Sequence, residues 1–269
     1  MHAHPGCRGD RCDPRPRRGR RGALRGVLKD PGAQRGERSL SQDPPAGAST
    51  TLVLVRHGVT THTSGRRFSG GLGGDNPPLS EEGREQVGHA AAWIAELGDR
   101  IDAVVASPVR RTRETADLIA AELGLEVTEE PAFAEMEFGS WDGRSFAEVA
   151  AADQAGMDAW FADLAAAPHG GESFHDVHGR VLAGLDRVLA EHGGGTLVVA
   201  SHVTPIKTLV AHAVGAPLSS LFSLELAPAS VSVVAFHPDA GVEAGYRASL
   251  RLFNALPPGR RTLLDTGRW

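Results

Sequence analysis

The sequence predicts a three-layer α/β/α sandwich in which helices cover both faces of a mostly parallel sheet. The first observation is a set of short aliphatic runs, at Thr51–Val55, Asp102–Ala106 and Thr196–Ala200. Runs of this kind are typical of strands that are buried on both faces. The second observation is that helical segments alternate with these runs through short connections, an order that favours parallel strands with helical crossovers.

Capping residues set the boundaries of the predicted helices. One helix is predicted from Ser80, where the hydroxyl can cap the first turn, to about Leu97. Another is predicted from Arg110 to Leu123, with Gly124 ending it. The remaining predicted elements are helices at Glu172–Glu191 and Pro205–Val214, and strands near a sheet edge at Ser230–Phe236 and Tyr246–Phe253.

Two segments break this alternation of strands and helices. Residues 59–78 are rich in Gly, Thr, Ser and Pro, which predicts a long loop. Between residues 126 and 168 the pattern divides into short pieces, with helices predicted at about 146–152 and 158–164. We interpret this second segment as an insertion rather than a layer of the core.

The first 50 residues differ in composition from the rest of the 269-residue chain. Their net charge is +6, which leaves −11 for residues 51–269 of a chain whose total is −5. Gly and Pro are abundant there and large aliphatic residues are few, so the segment cannot bury enough apolar surface to offset its ordering entropy. We predict a disordered Arg/Pro/Gly-rich extension over residues 1–50 and one folded domain over residues 51–269.

Composition also argues against several classes of protein. No apolar run reaches the roughly 18 residues of a membrane span, and both cysteines, Cys7 and Cys12, lie outside the predicted domain. We therefore expect a cytoplasmic protein with no membrane partner. The chain has 9 Phe, 4 Trp and 1 Tyr, few aromatic residues for a base-stacking platform, so nucleic acid binding by the basic stretch Arg15–Arg21 is a secondary hypothesis.

Histidines and arginines follow the three aliphatic strands. Arg56 and His57 follow the first strand, Arg111 follows the second, and His202 follows the third. Ligands of open α/β sheets bind beyond the carboxyl ends of the strands. Each residue alone has a structural explanation, as a hydrogen-bonded histidine or a solvated arginine. Together they predict a phosphate site, because clustered cations repel one another unless an anion lies among them.

A histidine beside a phosphate group indicates phosphoryl transfer. The imidazole of His57 becomes a nucleophile at one ring nitrogen if the other donates its N–H to a fixed acceptor. Arg56, Arg111 and a protonated His202 would then stabilise the charge on the transferring group.

The alkoxide that leaves in such a reaction needs a proton. Glu135 is the leading candidate acid, with Glu137 as its rival in the same loop. We expect apolar surroundings from Phe133, Phe138 and Trp141 to keep the Glu135 carboxyl protonated near neutral pH.

Two of these motifs carry a family resemblance. Leu54–Gly58, followed by Thr60, resembles the signature of the histidine phosphatase superfamily in its phosphoglycerate-mutase-like branch. Ser107–Ala116 resembles the second arginine motif of that family, in a register that places Arg111 rather than Arg110 at the phosphate.

Later motifs extend the resemblance over residues 51–253. Glu135 with Gly139–Gly143 resembles the motif that supplies the proton donor, and Ser201 with His202 resembles the second histidine site. The resemblance implies a phosphoglycerate-mutase-like fold, a phosphohistidine intermediate and no metal cofactor. It also implies a phosphomonoesterase that hydrolyses a small phosphorylated metabolite.

Loop positions that resemble substrate contacts of the family are Arg67, Thr63 and Ser69. Thr63 stands where many relatives have Asn, and this departure bears on the details of phosphate contact. Two other functions stay open, namely a phosphomutase of the phosphoglycerate type and a phospho-ligand binding protein with weak turnover. We also expect a homodimer paired through the apolar edge strand Val231–Phe236.

The sequences of Ser201–Lys207 and Gly170–Phe174 are similar to those of the phosphatase half of bacterial ribonuclease H–phosphatase fusions. That half is itself similar to α-ribazole phosphatase. The 50-residue extension is too short and too polar for a ribonuclease H fold, so we expect no nuclease activity.

Overall fold

A computed structural model describes residues 47–258 of the chain. The predicted disorder therefore lies outside the described residues, except for its last four positions. Thr50 is buried and is the first residue of the first strand, one residue before the predicted start of the domain.

Six strands form one sheet. They are β1 Thr50–Arg56, β2 Ala103–Ala106, β3 Val127–Glu129, β4 Thr196–Ser201, β5 Val231–Pro238 and β6 Tyr246–Ala255. Their order across the sheet is β3-β2-β4-β1-β5-β6. The pairs β1–β4, β2–β3 and β2–β4 are parallel, whereas β5 runs antiparallel to both of its neighbours. The predicted mostly parallel sheet is confirmed.

The α-helices within the described residues are α1 Thr61–Ser64, α2 Glu81–Ala95, α3 Arg110–Leu123, α4 Phe146–Ala162, α5 Phe174–Glu191 and α6 Val203–Ala213. Helix α3 has the predicted bounds, and Gly124 ends it in the left-handed conformation at φ 65°. Ser80 caps α2 by accepting a hydrogen bond from the Gly83 N–H, as predicted. Over residues 47–258, no helix combines the length and the apolar composition of a membrane span.

Alternate side chains of each central strand enter different layers of the core. In β1, Leu52 and Leu54 pack on one face with residues of α5 and α6. Val53 and Val55 pack on the other face with residues of α2 and α3. This alternation follows from strand geometry, and it confirms the three-layer architecture.

The segment from residue 126 to residue 168 differs from its prediction in two ways. It contributes β3, a three-residue strand at the sheet edge, whose mostly exposed residues give no apolar run to detect. The two short helices predicted there are one helix, α4, interrupted at Asp153, where φ is −150° and ψ is 62°. The side chain of Asp153 accepts the Gly156 N–H and so caps the second half of α4.

The prediction that Val231–Phe236 lies at a sheet edge is wrong. Strand β5 pairs with β1 on one side and with β6 on the other, so its backbone groups are already used. Residues 231–236 of β5 are buried or partly buried without alternation, as expected of an interior strand. The strand pairing on which the expected homodimer was based is therefore not available. The homodimer stays a prediction.

Two glycines let α2 approach the turn that follows β1. A Cβ on Gly83 would lie 2.1 Å from the Val59 carbonyl oxygen, and a Cβ on Gly58 would lie 2.4 Å from the Gly83 carbonyl oxygen. Backbone atoms cannot yield at such distances, so this contact requires glycine on both sides. The contact fixes the turn that carries His57 against the helix layer.

This close approach makes a prediction with a control on the same helix. Gly83→Ala should lower the free energy of unfolding by about 1–3 kcal/mol, because the added methyl group overpacks the contact. Gly88→Ala, where a Cβ would meet nothing within 4 Å, should instead raise it by roughly 0.5–1 kcal/mol through helix propensity. Urea unfolding of both variants measures this, and equal effects would contradict it.

Candidate active site

The carboxyl ends of β2, β4 and β1 are neighbours in the sheet, and they bring the predicted site residues together. His57 follows β1, His202 follows β4, and Arg111 lies in the first turn of α3 after β2. All three side chains are buried, with relative exposures of 5%, 0% and 1% respectively. The two imidazole ring centroids are 5.3 Å apart.

Hydrogen bonds on both sides of the His57 ring fix its protonation. Nδ1 lies 2.8 Å from the Gly58 carbonyl oxygen, which can only accept, so Nδ1 carries the proton. Nε2 accepts from Arg111 Nε at 3.2 Å. Burial, followed by the charges of Arg111 and Arg56, holds the pKa of His57 well below its usual value of 6.5. The ring is therefore neutral, and the Nε2 lone pair faces the guanidinium group.

Arg111 is held by the loop that follows α1. Its Nη2 donates to the Ser69 and Gly70 carbonyl oxygens at 3.0 and 2.9 Å. Its Nη1 is buried and has no acceptor among residues 47–258. Burial lowers the pKa of Arg111 to about 10, so the group stays charged at neutral pH. Arg110, in contrast, is exposed and pairs with Glu114 at 2.9 Å.

His202 differs from its predicted state. Burial and the neighbouring Arg111 hold its pKa well below 6.5, so the expectation of a protonated ring is wrong for the free site. Ser107 Oγ lies 2.8 Å from His202 Nε2 and accepts from the Val109 N–H at 3.4 Å. A serine hydroxyl can donate or accept, and donation to Nε2 would leave the His202 proton on Nδ1. His202 Nδ1 is buried and has no partner among the described residues, so in that tautomer it can serve an anion without a charged ring.

Glu135 has a more polar environment than the predicted apolar pocket. One carboxyl oxygen accepts from the Met136 N–H at 2.9 Å, and the other from the Val203 N–H at 3.1 Å. The Thr204 N–H lies within 3.4 Å of both oxygens. Val203 and Thr204 begin α6, so the carboxyl group caps the positive end of that helix dipole.

Glu137, the predicted rival, does not join this cluster. Its carboxylate accepts from the Leu72 N–H at 2.7 Å and from the Gly73 N–H at 3.2 Å. Asp142 accepts from the Asp75 N–H at 2.8 Å and from the Gly70 N–H. The two carboxylates therefore anchor the glycine-rich loop over residues 70–75.

The three predicted substrate contacts line the same cavity as His57, a space of about 110 Å³. The Thr63 hydroxyl takes part in a capping box with Thr60. Arg67 donates to the Gly143 carbonyl oxygen at 2.8 Å, and Ser69 Oγ lies 3.1 Å from His62 Nδ1. Each residue therefore reaches the cavity from a fixed position.

Sequence reasoning missed Arg180, which holds the Glu135 loop. Its guanidinium group donates at 2.8 Å to the carbonyl oxygens of Ala132 and Ala134, and at 3.0 Å to that of Glu135. It also pairs with Glu172 at 2.8 Å. The available signal was its place beside the apolar stripe of α5, where a basic residue needs a buried partner.

Lys207 was also missed as a neighbour of the site. It lies on α6 with 3% exposure, and burial, followed by the charge of Arg56, lowers its pKa to about 8.

Among residues 47–258, no three His, Cys, Asp or Glu side chains are grouped to hold a metal ion. The expectation that no metal cofactor takes part stays a prediction.

A comparison with protein families decides which fold family this is. The family model described as "Histidine phosphatase superfamily (branch 1)" matches residues 52–248. The chain belongs to the histidine phosphatase superfamily. The matched range contains every residue of the cluster described above.

Similar proteins include several phosphatases. A bifunctional protein of Mycobacterium tuberculosis is 42% identical over 208 residues, which cover 77% of this chain and 54% of that protein. The chain thus spans about half the length of the mycobacterial relatives that it matches. Phosphoserine phosphatase 1 of Hydrogenobacter thermophilus is 32% identical over 188 residues, 68% of this chain and 85% of that protein. The α-ribazole phosphatase structure from Shigella flexneri has a TM-score of 0.65 at 26% identity, covering 79% of this chain and all of that one.

These comparisons confirm the family, the phosphoglycerate-mutase-like fold and the phosphatase class expected from the sequence. The histidine phosphatase domain of this chain is a phosphatase. The similarity to ribonuclease H–phosphatase fusions stays a prediction, because the name of the bifunctional relative does not state its two activities.

The two buried histidines make stability sensitive to acid. Their pKa values in the folded protein lie below 6.5, so the unfolded chain binds more protons below that pH. Their contribution is complete above about pH 6.5 and is lost as the pH falls. We expect the free energy of urea unfolding to fall between about pH 7 and pH 5, and to fall less in His57→Gln. The exposed-site control His237→Gln should keep the wild-type dependence, and a His57→Gln slope equal to the wild-type slope would contradict the assignment.

Arg180 should act as a positioning residue for Glu135. Arg180→Ala should lower kcat for alkyl phosphates by about tenfold to hundredfold, because the loop that carries Glu135, the candidate acid, loses its fixed place. The loss should be smaller for 4-nitrophenyl phosphate, whose leaving group needs little protonation. Arg187→Ala, on the same helix, removes an exposed arginine that pairs with the buried Glu130, and it serves as the control. An equal loss with both substrates would argue for a merely structural role.

Proposed function

We propose that this domain hydrolyses phosphomonoesters in two steps, through a phosphohistidine on His57. The observation that carries the proposal is the state of the His57 ring. Its Nδ1–H is bound to the Gly58 carbonyl oxygen, and its Nε2 lone pair lies against Arg111 in a buried cavity. A neutral imidazole with one fixed nitrogen and a lone pair on the other is a nucleophile, and a guanidinium group beside it supplies the charge that binds phosphate.

In the first step, His57 Nε2 attacks phosphorus, the N–P bond forms, and the ester P–O bond breaks. Arg56, Arg111 and the Nδ1–H of His202 stabilise the oxygens of the transferring group, where the charge develops. Glu135 acts here in its protonated form and gives its proton to the departing alkoxide, which leaves as the alcohol.

In the second step, water attacks the phosphohistidine. Glu135, now a carboxylate, takes a proton from the attacking water, phosphate leaves, and the His57 lone pair is restored. The same residue therefore serves as acid and then as base, and the cycle closes with every proton accounted for.

Hydrolysis is favoured over phosphomutase activity by the length of one segment. A mutase must shield the phosphoenzyme from water, usually with additional chain between the arginine motif and the later strands. Here the segment from Leu123 to Ala134 is occupied by β3 and one short 3₁₀ turn, which leaves no length for such a cover. The intact cluster likewise argues against a binding protein that has lost turnover.

The proposed substrate is a small phosphorylated metabolite. The cavity of about 110 Å³ suits a small leaving group beside the phosphate. The cytoplasm is the proposed location, because substrates of this class are cytoplasmic and both cysteines fall outside the domain. A homodimer is kept as a prediction without an assigned interface.

Removal of the nucleophile tests the proposal. His57→Ala should lower kcat at least about 10³-fold and abolish acid-labile labelling of the protein by a ³²P-phosphomonoester. Arg111→Ala should be similarly impaired, whereas its neighbour Arg110→Ala should retain activity, since Arg110 is paired with Glu114 on the surface. Normal turnover by His57→Ala would overturn the assignment of His57 as the nucleophile. Transfer to an added alcohol that exceeds hydrolysis would favour the mutase.

A further inference from the structure

Most of the aromatic residues in this chain lie in one cluster. The chain has 9 Phe, 4 Trp and 1 Tyr, so aromatic side chains are scarce. Eight of them form a continuous set of ring contacts, with centroids between 4.2 and 6.4 Å apart. The members are Phe68, Phe138, Trp141, Phe146, Trp160, Phe161, Phe174 and Phe222. We call this set the aromatic cluster.

Part of the aromatic cluster is a wall of the cavity that contains His57. Phe68, Phe138, Phe146 and Trp160 line that cavity together with the phosphate-binding residues. The rings of Phe68 and Phe146 are 4.2 Å apart at an interplanar angle of 31°. Phe146 is 36% exposed, although its neighbours Phe68 and Trp160 are buried. An exposed ring at a cavity mouth leaves apolar surface that a ligand can cover.

The charges around this cavity do not suit an anionic leaving group. The cations that line it are Arg56, Arg111 and Arg67. In the proposed mechanism Arg56 and Arg111 bind the phosphate. Arg67 is already paired with Glu148 at 3.1 Å and donates to the Gly143 carbonyl oxygen. A carboxylate on the leaving group would have to displace Glu148 from Arg67, whereas an uncharged ring would not.

We propose that the cavity is a leaving-group subsite for an uncharged aromatic ring, so that the preferred substrates are phosphomonoesters of ring-bearing alcohols. This inference rests on the proposed phosphatase function and deepens it. Offset or tilted stacking on the exposed ring of Phe146 holds the substrate ring, while Arg56 and Arg111 hold the phosphate. Both halves of the substrate then bind in one continuous cavity.

The test compares esters that differ only in the ring. Benzyl phosphate and n-propyl phosphate both release an alkoxide, so their ratio of kcat/KM reports ring binding rather than leaving-group acidity. We expect benzyl phosphate to be hydrolysed with a kcat/KM about tenfold to hundredfold higher, and O-phosphoserine to be no better than n-propyl phosphate. Equal values for the benzyl and propyl esters would overturn the inference.

Variants of two exposed phenylalanines locate the effect. Phe146→Ala should remove most of the benzyl preference and change the propyl ester less than about threefold, because only the stacking contact is lost. Phe161→Ala is the matched control, since Phe161 is 49% exposed and contacts Trp160 but is not one of the residues lining the cavity. A benzyl preference that survives Phe146→Ala, or that Phe161→Ala removes equally, would contradict the subsite.

Two further measurements separate the possible failures. Benzylphosphonate should bind more tightly than propylphosphonate in calorimetry by a similar factor, and neither compound requires turnover. Tight benzylphosphonate binding without hydrolysis of any ester would refute the phosphatase proposal but support the ring subsite. Sedimentation of wild type and Phe146→Ala tests the other occupant, a second copy of the chain. A dimer that Phe146→Ala dissociates, with no benzyl preference, would overturn the inference in favour of an interface.

Discussion

A positively charged guanidinium group and a neutral imidazole are in contact in the buried interior, and the proposed chemistry of this domain depends on that contact. The charge of Arg111 helps to keep His57 unprotonated, and the unprotonated Nε2 accepts a hydrogen bond from Arg111 in return. The Nη1 group of Arg111 has no acceptor among the described residues, so the same guanidinium group offers an anion a buried donor beside that lone pair.

The fold maintains this contact through several independent restraints. Adjacent parallel strands place His57 and His202 side by side, and the His57 N–H donates to the Ser201 carbonyl oxygen at 3.1 Å. The paired glycines at Gly58 and Gly83 press the turn against α2. The start of α6 receives the Glu135 carboxyl group, and Arg180 holds the backbone of the same loop from α5. Helices from both layers thus converge on one end of the sheet.

The sequence predicted those features that arise from local pattern. The aliphatic runs gave the three central strands, and the Gly124 stop gave the end of α3 to the residue. It could not give features that depend on partners distant in the chain. The neutral state of His202 follows from its burial and from the charge of Arg111, which lies on another element of the fold. The environment of Glu135 follows from backbone N–H groups of α6, which leave no trace in the residue types. Strand β3 is too short and too exposed to produce a pattern.

The glycine-rich loop over residues 70–75 has a consequence for how such domains diverge. Its backbone is tied down by the side chains of Glu137 and Asp142, and its carbonyl groups in turn orient Arg111. The orientation of the guanidinium group thus depends on a loop whose outer residues do not contact His57. A related protein with a shorter loop, or with either carboxylate replaced, would orient Arg111 differently although every proposed catalytic side chain was unchanged. Substrate range could therefore drift in this lineage without any visible change in its signature motifs.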